Sequence, residues 1–111
     1  MTPEGILKLE VGNYLKGSGL FYRRMQSGVI RKGSRFIHLC PEGTADVLVF
    51  KGDKPFWLEL KPKGQATTKT RKVAQAAFGD EVRALGHVYA LCESLDDVRS
   101  VLSGITIRES K

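Results

Sequence analysis

Cysteine and histidine are scarce in this sequence, and each scarcity excludes a class of chemistry. The only cysteines are Cys40 and Cys92, far apart and outside any CxxC pair, which excludes a zinc site of the usual spacing. Each closes an apolar run, Phe36-Ile37-His38-Leu39 or Val88-Tyr89-Ala90-Leu91, so buried free thiols in a reducing compartment are expected. The two histidines, His38 and His87, are not spaced as a metal pair and read as strand residues without a catalytic role. Gly43 and Gly64 are not followed by Gly-Lys-Ser/Thr, so no phosphate-cradling loop supports nucleotide hydrolysis. No apolar run approaches the ~20 residues of a membrane span, so no membrane partner is expected. Met1-Thr2-Pro3-Glu4-Gly5 has no basic segment leading into an apolar one, so no signal peptide is expected and the cytoplasm is the expected location. Repeats, linkers and low-complexity segments are also missing.

What is present fits one domain spanning residues 1–111. Hydrophobic residues make up 41% and charged residues 27%, ordinary values for a globular chain. Eighteen Lys and Arg oppose twelve Asp and Glu, a formal charge of +6. A basic surface suits a polyanion, although the same charge also serves solubility alone.

Thr2-Pro3-Glu4 reads as a helix start, with a capping hydroxyl, a first-turn proline and an acid at the positive end of the dipole. Leu7, Val11, Tyr14 and Leu15 recur at helical spacing, and Gly17-Ser18-Gly19 ends the helix. Leu20 to Met25 reads as a strand, Gly28 to Gly33 as a basic turn, and Arg35 to Leu39 as a second strand. Pro41-Glu42-Gly43-Thr44 is a turn before a buried strand from Ala45 to Phe50. Lys51-Gly52-Asp53-Lys54 is a hairpin turn, and Pro55 to Lys61 is the next strand. The polar stretch from Pro62 to Thr70 gives way to a helix through Val73, Ala77, Val82 and Leu85, stopped by Gly86. His87 to Cys92 reads as a strand, Glu93-Ser94 opens a last helix, and Ile105 to Ile107 is a candidate edge strand. The order predicts an α/β architecture, a mixed β-sheet flanked by helices. The long helix between Lys61 and His87 suits a crossover joining two parallel strands.

The chemistry lies in one acid on a strand and an acid-x-lysine on its neighbour. Glu59 and Lys61 follow Asp46 by 13 and 15 positions. Strand residues two apart share a face, so Glu59 and Lys61 project together while Leu58 and Leu60 pack the opposite way. The intervening hairpin brings Asp46 alongside. Two carboxylates would be neutralised by a hard cation, and Mg²⁺ or Mn²⁺ bound there would polarise a phosphoryl oxygen and acidify a water. Lys61 would orient or deprotonate that water, or stabilise charge on the phosphate. Such a set suffices to hydrolyse a phosphodiester. The bland alternative is a solvated Glu59–Lys61 ion pair on an exposed strand. Against it, Asp46 and Glu59 stand inside the apolar runs Ala45-Asp46-Val47-Leu48-Val49 and Phe56-Trp57-Leu58-Glu59-Leu60, where charges are partly buried and need partners.

The match extends further along the chain. Glu4, Arg24 with Ser27-Gly28, Gly43-Thr44-Ala45-Asp46, Glu59-Leu60-Lys61, Gln75 and Leu85-Gly86-His87 occur in one order. In that order the sequence resembles the virus-type replication-repair nuclease domains, the VRR-NUC branch of the PD-(D/E)xK nucleases, with their restriction-endonuclease-like core. The resemblance covers nearly the whole chain. The family often carries proline where this sequence has Ala45.

The resemblance implies a divalent metal, Mg²⁺ or Mn²⁺, held by Asp46, Glu59 and the backbone carbonyl of Leu60, with Lys61 positioning the attacking water. Glu4 would complete the acidic site, or serve only the helix dipole. Glu10, placed on the same helix face two turns later, is the reserve. Gln75 would support the site, or be an ordinary helix residue. The basic residues Arg24, Arg31, Lys32, Lys63, Lys69, Arg71 and Lys72 are candidate phosphate contacts, with Arg31 and Lys32 on a loop able to enter the substrate. The activity implied is a structure-specific DNA endonuclease acting on branched or junction DNA as a Holliday-junction-resolvase-like homodimer, in a bacterial or phage-infected cytoplasm. Leu20-Phe21-Tyr22 and Phe36-Ile37 are candidates for the apolar pairing surface, or else core residues. A monomeric flap or nicking nuclease and a non-catalytic basic nucleic-acid-binding module remain the alternatives.

Overall fold

The computed structural model describes residues 1–104, and the candidate strand from Ile105 to Ile107 lies outside them. Helix α1 (Pro3–Ser18) starts where the sequence signals place it: the Thr2 side chain accepts a hydrogen bond from the Gly5 N–H at 3.1 Å. Gly19, at φ 77°, ends it. Strand β1 (Phe21–Arg24) follows, then β2 (Val29–Lys32) and β3 (Arg35–His38). Next come β4 (Val47–Lys51), β5 (Lys54–Leu60), helix α2 (Lys69–Ala84), β6 (Val88–Cys92) and helix α3 (Leu95–Leu102).

The main sheet has the order β1-β4-β5-β6. Strands β1, β4 and β5 are antiparallel neighbours, and β5 pairs with β6 in parallel. A parallel pair requires a crossover, and α2 supplies it. The sheet is therefore mixed, as the order of elements predicts.

Side-chain alternation sorts the strands into two faces. Val47, Val49, Phe56, Leu58 and Leu60 form the aliphatic core with Leu7, Val11 and Leu15 of α1 and Val98, Val101 and Leu102 of α3. The opposite face is covered by α2, through edge-on contacts of Phe78 with Trp57 and Tyr89 at centroid distances of 5.1 and 6.1 Å. Gly79 sits close under the Tyr89 ring, where an added Cβ would lie 3.0 Å from it and press on it. Cys92 is fully buried, and burial pushes its thiol up to about 12, while Cys40 is only half-buried.

The segment from Gly28 to Gly33 differs from expectation. It is not a turn: Val29–Lys32 is strand β2, and it pairs with β3 as a separate two-stranded sheet. Arg31 and Lys32 accordingly stand on a β-ribbon rather than a loop. The charge and the flanking glycines suggested a turn, whereas the alternating partners on Arg35–His38 decide the strand. Every residue of β2 and β3 is exposed, so Phe36 and Ile37 do not face the core.

Candidate active site

The register of β4 and β5 brings the acids together. Val47 lies opposite Leu58, so one step further Asp46 lies across from Glu59. Asp46 falls just before β4 rather than opening it. Its position is held from two sides: its carbonyl accepts from the Met25 N–H at 2.7 Å, and its carboxylate Oδ2 accepts from the Leu60 N–H at 2.7 Å. The loop leading to it presses against α2. Gly43 has φ 94°, and a Cβ there would lie 2.6 Å from the Ala74 backbone, so glycine alone permits the approach.

Glu59 is 4% exposed, far from a solvated ion pair. Its Oε2 accepts a hydrogen bond from Gln75 Nε2 of α2 at 3.0 Å. With both carboxyls ionised, its Oε1 accepts no hydrogen bond from any described residue. Burial first, then the Asp46 charge and a shared hydrogen bond with Asp46, push the Glu59 carboxyl up to about 8. A buried acid next to another acid keeps its proton unless a cation replaces it.

Glu4 reaches the same cleft from α1. It accepts from Gln65 Nε2 at 2.9 Å and pairs with Lys8 Nζ at 3.0 Å. The Gln65 hydrogen bond, reinforced by Lys8, holds its carboxyl below the usual range. Its contacts thus extend beyond the end of the helix, to Gln65 and Lys8. Glu10 is exposed and lines no cleft described here. Six residues at about 100° each turn it roughly 240° from Glu4, so the two do not share a face, contrary to expectation.

The cleft is walled by Glu4, Glu59, Lys61, Gln65, Arg71 and Gln75. Lys61 follows β5 directly, its N–H donating to the Cys92 carbonyl at 2.9 Å. Arg71 stands in the first turn of α2, capped by Thr68. Arg24 lines an adjoining small cavity of about 40 Å³, of which Asp46 forms one wall. Lys63, before α2, and Lys69 and Lys72, in its first turn, are exposed and line neither cleft, and Arg31 and Lys32 lie out on the ribbon.

Two polar partners have no counterpart in the sequence reading. Lys8 links the acids, 3.0 Å from Glu4 and 3.8 Å from Asp46. Its i,i+4 spacing from Glu4 was a usable signal. Gln65 had none, because its reach across the cleft depends on the loop after β5.

The donor set has the chemistry of a divalent-ion site. Asp46 and Glu59 offer oxygens only, one buried oxygen of Glu59 lacks a donor, and the pair carries an uncompensated tendency to hold a proton. Such a set fits a hard cation. Among the described residues no three His, Cys, Asp or Glu side chains gather closely enough to hold an ion by themselves. Backbone oxygen and water would complete the shell, as Mg²⁺ tolerates.

No family model and no curated protein matches the chain. A solved structure described as a VRR_NUC domain does, with a TM-score of 0.62 at 16% identity, over 93% of this chain and 97% of that one. The chain has the VRR_NUC fold. At that identity the likeness rests on shape. Within this chain, Asp46, Glu59 and Lys61 lie at one end of the neighbouring strands β4 and β5.

Proposed function

We propose that the protein is a divalent-metal-dependent endonuclease that hydrolyses phosphodiester bonds in DNA. The observation that carries this reading is the neighbouring pair Asp46 and Glu59: Glu59 is buried with one oxygen lacking a donor and shares its cleft with Lys61, and Asp46, half-buried, walls the adjoining cavity. A purely structural acid pair would be expected to have its charge compensated by the chain.

Asp46, Glu59 and the Leu60 carbonyl would hold Mg²⁺ or Mn²⁺, with Glu4 at the margin. Bound there, the ion supplies charge neutralisation at a phosphoryl oxygen and lowers the pKa of a water. Gln75 keeps the Glu59 carboxylate oriented, and the Leu60 N–H does the same for Asp46. Lys61 Nζ orients the attacking water and counters the charge growing on the phosphoryl oxygens. The water oxygen bonds to phosphorus and releases a proton, the ester P–O bond breaks, and the departing alkoxide takes a proton from solvent water. Arg71 and the first turn of α2, with Lys69 and Lys72, present positive charge and free N–H groups to the flanking phosphates. Arg24 and Lys63 extend that contact on either side.

Within this class, the reading carried forward is a two-fold dimer that cuts branched DNA, with a monomeric flap or nicking nuclease as the alternative. Strand β1 is an edge of the main sheet and leaves Phe21 exposed, which supports pairing of two copies there. Leu20 and Tyr22 pack against the core instead.

The test is cleavage of duplex, flap, splayed and four-way-junction DNA, with Mg²⁺ and with chelator, for the wild-type chain and Asp46→Asn. Metal-dependent cutting that disappears in the variant is expected. Cutting unaffected by chelator or by the variant overturns the assignment. A sedimenting monomer that cuts flaps and spares junctions overturns the dimeric reading and leaves the nuclease standing.

A further inference from the structure

The charge of the chain is unevenly placed. Between Glu10 and Glu42 the sequence contains six bases, Lys16, Arg23, Arg24, Arg31, Lys32 and Arg35, and no acid. That stretch carries a charge equal to the whole formal +6, and the remaining residues balance at twelve bases against twelve acids. The fold concentrates three of those bases on the β2–β3 ribbon.

The ribbon is rooted at the active-site end of the main sheet. Strand β1 runs antiparallel to β4, so its last residue, Arg24, pairs with Val47 next to Asp46. The chain leaves the sheet there, makes the ribbon and returns through Cys40 to the loop that carries Asp46. The root is tied by backbone hydrogen bonds: Gly28 N–H to the Cys40 carbonyl at 2.9 Å, Leu39 N–H to Gly28 at 2.9 Å, and Cys40 N–H to Gln26 at 2.8 Å.

The cross-strand register sorts the ribbon's side chains. Ile30 lies opposite Ile37 and Lys32 opposite Arg35, which puts these four on one face. Arg31 lies opposite Phe36, and Val29 opposite His38, on the other. The bases therefore stand toward the Gly33-Ser34 tip, with apolar side chains nearer the root. Phe36 is 63% exposed, with the Arg31 guanidinium 5.9 Å from its ring centre. Two strands fit the width of a DNA major groove.

We propose that the β2–β3 ribbon is a duplex-gripping arm, which lies against a DNA arm beside the cleavage site and places Arg31, Lys32 and Arg35 on its phosphates. The proposal rests on the reading of the protein as a DNA-cleaving enzyme and adds the element that holds the duplex. A second copy of the chain is the other occupant that exposed apolar residues could suggest. Charge decides against it, because two ribbons would bring together three bases each with no acid on either to pair them.

The experiment measures binding of a short duplex, in chelator, across a range of salt, so that cleavage plays no part. The triple variant Arg31→Ala, Lys32→Ala, Arg35→Ala is compared with wild type and with Lys54→Ala, which removes charge at the β4–β5 turn at the far end of the sheet. Each phosphate contact contributes about −0.9 to the slope of log K against log salt. The triple variant is expected to lose about 2.7 from that slope, with an unchanged melting temperature, and Lys54→Ala to keep it. A second variant, Arg31→Glu, Lys32→Glu, Arg35→Glu, should abolish binding at moderate salt. A wild-type slope in the triple variant, with DNA still bound, overturns the arm and leaves the enzyme reading intact. A variant that instead shifts the sedimenting species from dimer to monomer with no loss of slope assigns the ribbon to the second copy. Failure of the wild-type chain to bind duplex at all overturns both the arm and the DNA reading beneath it.

Discussion

Leu58 and Glu59 are consecutive in β5 and both are buried, but different partners bury them. Leu58 points into the hydrophobic core under α1 and α3. Glu59 points to the α2 side, beside Asp46, with a single hydrogen bond from Gln75. The first face gains free energy by excluding water. The second gives some of it up, because desolvating a carboxylate next to another carboxylate opposes folding unless a proton or a cation neutralises it. One strand thus carries a stability face and a chemistry face, and the difference can be probed residue by residue.

The sharpest break is to change the two neighbours separately. Glu59→Gln is expected to reduce metal-dependent cleavage by at least about a thousandfold while the protein stays folded, since the amide keeps the shape and discards the charge. Leu58→Ala is expected to lower unfolding stability by about 2–5 kcal/mol and to leave metal binding by the folded fraction intact. Denaturation curves and single-turnover rates on both variants check this. Equal loss of stability in the two would erase the distinction between the faces.

Lys61 tests whether the chemistry face needs a particular cation. Lys61→Ala should slow cleavage on the order of a hundred- to a thousandfold with metal affinity retained. Lys61→Arg should not restore the rate, because guanidinium is planar and does not give up its proton. Full activity in the arginine variant would reduce Lys61 to a simple positive charge.

The third test uses pH. Glu59 holds its proton up to about 8 in the folded, metal-free protein, well above the ordinary 4.5. Above about pH 4.5 the unfolded chain releases a proton that the folded chain retains, so this group's contribution to stability declines as pH rises and is lost on passing about pH 8. Melting temperature without metal should therefore fall between pH 5 and pH 9 by more in the wild type than in Glu59→Gln. Mg²⁺ should reverse the fall at the alkaline end. Identical pH profiles for the two proteins would show that the acid is not strained by its surroundings.

The smallest effect concerns Lys8, the cation the chain already brings to the site. It pairs with Glu4 at 3.0 Å and approaches Asp46 at 3.8 Å, so an incoming ion has to compete with it. Lys8→Met should tighten Mn²⁺ binding several-fold by calorimetry, with the metal-free melting temperature slightly lowered. Weaker binding in the variant would mean that Lys8 organises the acids rather than competing for them.

Much of this was legible in the chain before any coordinates. The period-two alternation of Phe56-Trp57-Leu58-Glu59-Leu60 fixes opposite faces for leucine and glutamate, since a strand's side chains alternate by covalent geometry. Thr2 and Pro3 fix the start of α1, because an orphan N–H needs a nearby acceptor. The apolar run around Asp46 announces a partly buried acid. These are local consequences of residue order. What tertiary structure alone decided depends on contacts between distant segments. Only the β4–β5 register puts Asp46 across from Glu59 rather than one residue away, and only the packing of α2 brings Gln75 to within 3.0 Å of Glu59. Lys8 became part of the site because α1 crosses the end of β5, and Gln65 because its loop folds back over Glu4. The β2–β3 ribbon is a nearer case: it spans only Val29–His38 and closes through Gly33-Ser34, a local hairpin signal that the basic, glycine-flanked composition obscured. At the acidic site, by contrast, the contacts are long-range. Pairing and helix docking satisfy groups that are remote in sequence, so no short window of the chain could have contained that information.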